Sequence, residues 1–169
     1  AALSYGASGI AMGTRFLLTQ ESDVPDAIKA QYIKTPVTGT VVTKAIDGYP
    51  QRVIRTDVVE QLERSSIITR LFRALGYAFA LRKHTETSFG ALIKEGLAMR
   101  ENQNLTWSQL AMAANAPMLT KASMVDGNLD VGILPTGQVV GVIEELPTVE
   151  ELVKRVMQEA QDTLDKLSA

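Results

Sequence analysis

Apolar and polar positions divide the chain into short apolar runs near its start, a helical middle and one amphipathic segment at its end. The end carries the strongest pattern. Val149, Leu152, Val153, Val156, Ala160, Leu164 and Leu167 recur at helical spacing and share one face. Thr148 followed by Glu151 has the spacing of a capping box, in which hydroxyl and carboxylate each satisfy a backbone N–H of the first turn. Glu150 and Glu151 also lie at the positive end of that helix. At the other end of the chain, residues 10–12 form a short apolar run between Gly9 and Gly13, which predicts a buried strand. Thr14 is placed to cap the stretch that follows it.

Between these ends the pattern changes period several times. A helix is expected over 24–33, behind Asp23, with Pro25 in its first turn and Pro36 as its stop. Residues 40–46 and 51–55 are rich in β-formers and flank Asp47-Gly48, predicting a hairpin with a slightly long loop. Asp57 reads as the N-cap of a helix over 58–64. Further helical patterns cover 67–83, weakened by Gly76, then 88–100 and 107–114. Asn115-Ala116-Pro117 is expected to break the run, with a resumption over 118–125 and a turn at Asp126-Gly127. Residues 129–134 and 138–143 read as extended pieces around Pro135-Thr136-Gly137.

Composition narrows the chemistry. The 169 residues are 46% apolar and 21% charged with net charge −2, an ordinary globular balance with no global basic field for nucleic acid. Cysteine is absent, which excludes disulfides, thiol nucleophiles, zinc–thiolate sites and iron–sulfur clusters from this chain. No His/Asp/Glu cluster has metal-ligand spacing, no run reads as a signal peptide or membrane span, and the lack of cysteine favours a cytoplasmic location. The first three residues read as the tail of a helix, so an N-terminal portion, in the same or a separate chain, is expected to precede them.

Gly6-Ala-Ser-Gly-Ile-Ala-Met-Gly-Thr-Arg-Phe16 is the most specific stretch. Gly13 lacks a Cβ and lets backbone amides approach a ligand closely, and Thr14 adds a hydroxyl. Amides exposed after a strand suit a phosphate dianion; the same glycines also serve a tightly packed turn with no ligand. Residues 51–100 hold nine Arg or Lys against five acids, a local excess able either to meet an anionic ligand or to form a solvated helix surface. His84, the one histidine, lies near an expected helix end and reads first as a helix-terminal charge. Trp107, Met112, Met118 and Met124 suit core filling or the lining of an acyl pocket. Glu144 and Glu145 are adjacent, and on a strand they would face opposite ways, a poor acid–base pair.

Residues 2–16 resemble a signature of the nitronate monooxygenase / 2-nitropropane dioxygenase family of FMN-dependent enzymes. The hairpin at 38–55, Gly137-Gln-Val-Val-Gly141 and Pro147-Thr-Val-Glu-Glu-Leu-Val153 fit the same family. The resemblance implies an α/β fold: the C-terminal part of a (β/α)8 TIM barrel, with its last strand and phosphate-binding turn, plus a mainly helical cap containing a β-hairpin. It divides the chain into a barrel end over 1–35, a substrate or cap segment over 36–143 and a terminal amphipathic helix over 144–169. It also implies that Gly13 and Thr14 contact the FMN phosphate, with Met12 alongside. No catalytic residue carries over, because the barrel strands that meet the flavin ring have no counterpart in this sequence.

Asn104-Leu-Thr-Trp-Ser-Gln-Leu110, Asn115-Ala-Pro-Met-Leu119 and Asp130-Val-Gly-Ile-Leu-Pro-Thr-Gly-Gln138 resemble an actinobacterial branch of that family. Some members of this branch are flavin-dependent dehydrogenases acting on CoA thioesters in steroid-ring breakdown. On that reading Arg82, Lys83 and Trp107 are the candidate contacts to an acyl-CoA. Nitronate oxidation with dioxygen and enoyl thioester reduction are the alternatives within the family. A different class is a non-catalytic assembly module that covers its apolar faces with a partner chain or a second copy, since 169 residues fall short of the roughly 200 or more that a closed barrel needs.

Overall fold

The computed structural model describes residues 2–66, 68, 69 and 115–168. A 3-10 turn at Leu3–Tyr5 leads through an irregular stretch to the short helix α1 (Thr14–Leu17). Helix α2 (Asp26–Lys34) begins after Pro25, whose fixed φ suits a helix entry. Strands β1 (Thr40–Thr43) and β2 (Gln51–Ile54) pair antiparallel, with Val41 opposite Val53 and Val42 opposite Arg52. Asp47 shapes their connection: its carboxylate accepts from the Tyr49 N–H at 3.0 Å and from the Gln51 amide, while Gly48 takes φ +90. Helix α3 (Asp57–Arg64) follows. Thr56, one residue earlier than expected, is its N-cap and accepts from the Val59 N–H at 3.4 Å.

Helix α4 (Asn115–Met124) includes Pro117, so the break expected at that proline does not occur within the described helix. It ends as the sequence predicts: Gly127 adopts φ +68, and the Gly127 and Asn128 N–H groups return to the Ser123 and Ala122 carbonyls. The final helix α5 (Val149–Ser168) has the predicted reciprocal cap, with the Thr148 N–H donating to Glu151 at 2.9 Å and the Glu151 N–H donating to the Thr148 hydroxyl at 3.2 Å. Glu21 adds both carboxylate oxygens to the Val149 N–H. Among the described residues no helix is long and apolar enough to cross a membrane.

Strand alternation sorts the core into two clusters. Neighbouring residues of a strand point to opposite faces. Ile54 therefore joins Leu18, Ile28, Tyr32, Leu134 and Val140, while Val53 joins Ala45, Ile46, Val59, Leu62, Leu119 and Ile133. Ile133 and Leu134 divide in the same way because this segment lies along β2: the Ile54 N–H donates to the Leu134 carbonyl at 2.9 Å, the Thr136 N–H to Arg52 at 3.0 Å, and Val53 bridges Pro135. Met124 packs against the first cluster, so of its two expected roles it fills the core.

Other expectations also differ from the observed structure. Residues 10–12 form no strand, and Ile10 is 58% exposed. A strand needs a laddered neighbour, and no described residue supplies one beside them. Residues 138–142 are not extended but form a 3-10 turn (Gln138–Val142) packed on α1 and α2. Gly141 explains that turn, since it lies directly on the Val37 backbone where no side chain fits. The apolar stripe of α5 is buried at Leu152 only; Val153, Met157, Leu164 and Leu167 are exposed.

Candidate functional site

Met12, Gly13 and Thr14 sit where the irregular opening segment turns into α1. Gly13 has φ −93 and ψ −70, which any residue adopts, so its glycine character is not required by backbone conformation. Nor is it required by packing among the described residues, none of which a Cβ there would meet within 4 Å. The bare backbone faces space that no described residue fills. The N–H groups of Thr14, Arg15 and Phe16 find no acceptor among the described residues, whereas Leu17 and Leu18 already donate to Gly13 and Thr14.

Thr14 does not cap α1 through its side chain, as the sequence led us to expect. Its side chain is buried, and its hydroxyl oxygen accepts the Gly137 N–H at 2.8 Å, across 123 residues of sequence. A hydroxyl has one proton to give and two lone pairs. With a lone pair taken by Gly137, the proton remains for an acceptor that no described residue provides. Gly137 was visible in sequence as part of a glycine-containing run, but nothing in that run points to Thr14.

Arg15 was not singled out by sequence, although it belongs to the same motif. Its Nη1 donates to the Glu145 carbonyl at 3.5 Å, and its Nη2 is buried without a partner among the described residues. Burial pulls this guanidinium below the ordinary arginine value; Glu145 opposes that shift and Arg155 adds to it. An open groove nearby is lined by Gln20, Glu145, Pro147, Glu151 and Arg155 among others, but not by Met12, Gly13 or Thr14. Two of its charged groups, Arg155 and Glu145, pair with each other, and Glu151 accepts the neighbouring Thr148 N–H. Arg82, Lys83, His84, Trp107 and Met112 lie outside the described residues.

An open glycine backbone thus lies beside a buried threonine hydroxyl. The sequence matches the nitronate monooxygenase family over residues 1–159, and the chain belongs to that family. It is 48% identical over 169 residues to the (3aS,4S,5R,7aS)-5-hydroxy-7a-methyl-1-oxo-octahydro-1H-indene-4-carboxyl-CoA dehydrogenase of Mycobacterium tuberculosis (strain H37Rv), covering 100% of this chain and 48% of that protein. A protein of the same name from Rhodococcus jostii (strain RHA1) is 46% identical over the same 169 residues, again 48% of its length. The chain thus spans about half the length of the curated relatives it matches. Among solved structures, FabK from Thermotoga maritima aligns with TM-score 0.61 and 26% identity, over 99% of this chain and 41% of that one, in keeping with part of a TIM-barrel fold.

The family is generally flavin-dependent, and the residues present fit the phosphate end of such a group. The open backbone at Gly13 leaves room that a Cβ would take, and the Thr14 hydroxyl keeps an uncommitted proton beside it. Phosphate accepts both backbone N–H and hydroxyl donors, and hydrogen bonds to a charged acceptor are the stronger ones.

Proposed function

We propose that this chain supplies the phosphate-binding turn of an FMN-dependent oxidoreductase acting on a CoA thioester, as a dehydrogenase of steroid-ring breakdown. The observation that carries the reading is the pairing of 48% identity over the whole chain, to a relative named for such a substrate, with the open Gly13 backbone beside Thr14. In this reading residues 1–35 form the barrel end, 36–143 the cap and 144–169 the closing helix. When bound, FMN supplies an acceptor for two electrons. The chain's own part is to hold it: Gly13 gives the phosphate room against the backbone, Thr14 donates its O–H, and Met12 lies alongside. Arg82 and Lys83, from the basic stretch at 51–100, are assigned to the CoA phosphates, and Trp107 to the acyl group.

The test uses the natively expressed protein under anaerobic conditions. Adding an octahydroindene-carboxyl-CoA thioester is expected to bleach the flavin absorbance in proportion to the thioester added. Failure of the thioester to bleach it, together with turnover of an alkyl nitronate with dioxygen, overturns the substrate assignment in favour of nitronate oxidation.

A further inference from the structure

The Thr14 hydroxyl is held from behind. Gly137 donates to it at 2.8 Å, and Gly137 is itself fixed by a segment stapled on several sides. Tyr32 donates to the Pro135 carbonyl at 2.6 Å, Thr136 donates to Arg52, and Val53 bridges Pro135. On its far side Gly141 lies against the Val37 backbone. A hydroxyl that already accepts a strong N–H cannot turn its proton toward that donor, so the rotor is restricted to directions away from Gly137. Thr14 is only 8% exposed, which limits competition from water for that proton.

We propose that Gly137 is a positioning residue for the flavin phosphate: its amide fixes the acceptor side of the Thr14 hydroxyl and commits the proton to a phosphate oxygen. The proposal rests on the reading of Thr14 as a phosphate contact. It makes the 134–137 segment, and β2 behind it, responsive to the cofactor. A Cβ at 137 would stand 3.4 Å from the Thr14 hydroxyl oxygen, an ordinary contact, so the role falls to the amide and not to the missing side chain.

The test is a binding cycle on the natively expressed protein stripped of flavin, with FMN and riboflavin as probes, since riboflavin lacks the phosphate. Thr14→Val removes the hydroxyl at nearly constant shape and is expected to weaken FMN roughly 10- to 100-fold while leaving riboflavin unchanged. Gly137→Pro removes the N–H at a backbone φ of −86, close to what proline adopts. It is expected to weaken FMN by roughly 3- to 10-fold with riboflavin unchanged. The double variant should bind FMN no more weakly than Thr14→Val alone.

Equal weakening of FMN and riboflavin by Gly137→Pro, full additivity, or no effect would each overturn the positioning role. Wild-type FMN affinity in Thr14→Val would instead overturn the underlying phosphate reading. Should Gly137→Pro fail to fold, amide hydrogen exchange decides. The Gly137 amide is expected to exchange more slowly on adding FMN, not on adding riboflavin, and to lose that response in Thr14→Val. An FMN response that persists in Thr14→Val refutes the proposal.

Discussion

Replacing Gly141 by alanine tests the packing that underlies the site. An added Cβ would lie 2.1 Å from the Val37 nitrogen, 2.4 Å from its Cα and 2.7 Å from the Pro36 carbonyl carbon. Ordinary contact begins near 3.4 Å, so the turn and the Pro36-Val37 backbone must separate by more than about 1 Å. None of the three opposing atoms can rotate away, because all belong to the main chain. Overpacking relieved by side-chain movement costs about 1–3 kcal/mol, and a backbone clash belongs at the top of that range or above it. The disturbance also reaches Val140, fully buried between α1 and α2. With a urea slope of roughly 1–3 kcal/mol per molar, the unfolding midpoint should fall by about 1 M or more. Gly9→Ala is the control, because its Cβ would meet nothing within 4 Å. A Gly141→Ala protein with the midpoint of the control would refute the close approach and the placing of the 138–142 turn.

Other consequences are as specific. Tyr32→Phe leaves the Pro135 carbonyl without its 2.6 Å donor in a fully buried place, and should cost about 1–3 kcal/mol by urea unfolding; the buried hydroxyl, its pKa pushed well above the ordinary tyrosine value by burial, stays neutral, so this loss should not change between pH 6 and about 9. Gly132→Ala drives a Cβ to 2.4 Å from the Ser123 Cβ and 2.6 Å from its backbone nitrogen, and is expected to destabilise by about 2 kcal/mol or more, with Gly9→Ala again the reference. Glu151 is held below the usual carboxylate range, first by the Thr148 backbone N–H and then by its hydroxyl. A depressed carboxylate contributes stability above its unfolded pKa and loses it as pH falls through the folded value. Protection of the Thr148 amide, taken relative to its intrinsic exchange rate, should therefore fall in acid below the ordinary carboxylate range, and Glu151→Gln should reduce that dependence.

Legibility in the sequence followed the range of the interactions involved. The α5 cap, the Asp47-Gly48 turn and the Gly127 helix ending are local, and each was readable because its donors and acceptors lie within a few residues. Residues 10–12 were misjudged because apolar content reports a preference for burial, while a strand also requires a neighbour's hydrogen bonds. The 138–142 turn was misjudged because its conformation is set by contact with α1, α2 and the Val37 backbone, a hundred residues away. At the site the same division holds. Gly13 and Thr14 stand in one short motif and could be singled out from it, but the Gly137 amide reaches Thr14 across 123 residues and had no local signal. Arg15 was passed over because its significance lies in a buried, unpartnered Nη2 that no spacing rule reveals.

The central claim is that the open backbone at Gly13 exists to receive a flavin phosphate. Its most direct test is the FMN content and affinity of the natively expressed protein beside its Gly13→Ala variant. A Cβ at Gly13 would meet no described residue within 4 Å, so the flavin-free forms should unfold at the same urea midpoint. The native protein should release FMN near one equivalent, and the variant should bind FMN at least about tenfold more weakly with riboflavin little affected. A protein that carries no FMN and takes up none, or a Gly13→Ala variant that binds FMN like the native one, would contradict the account.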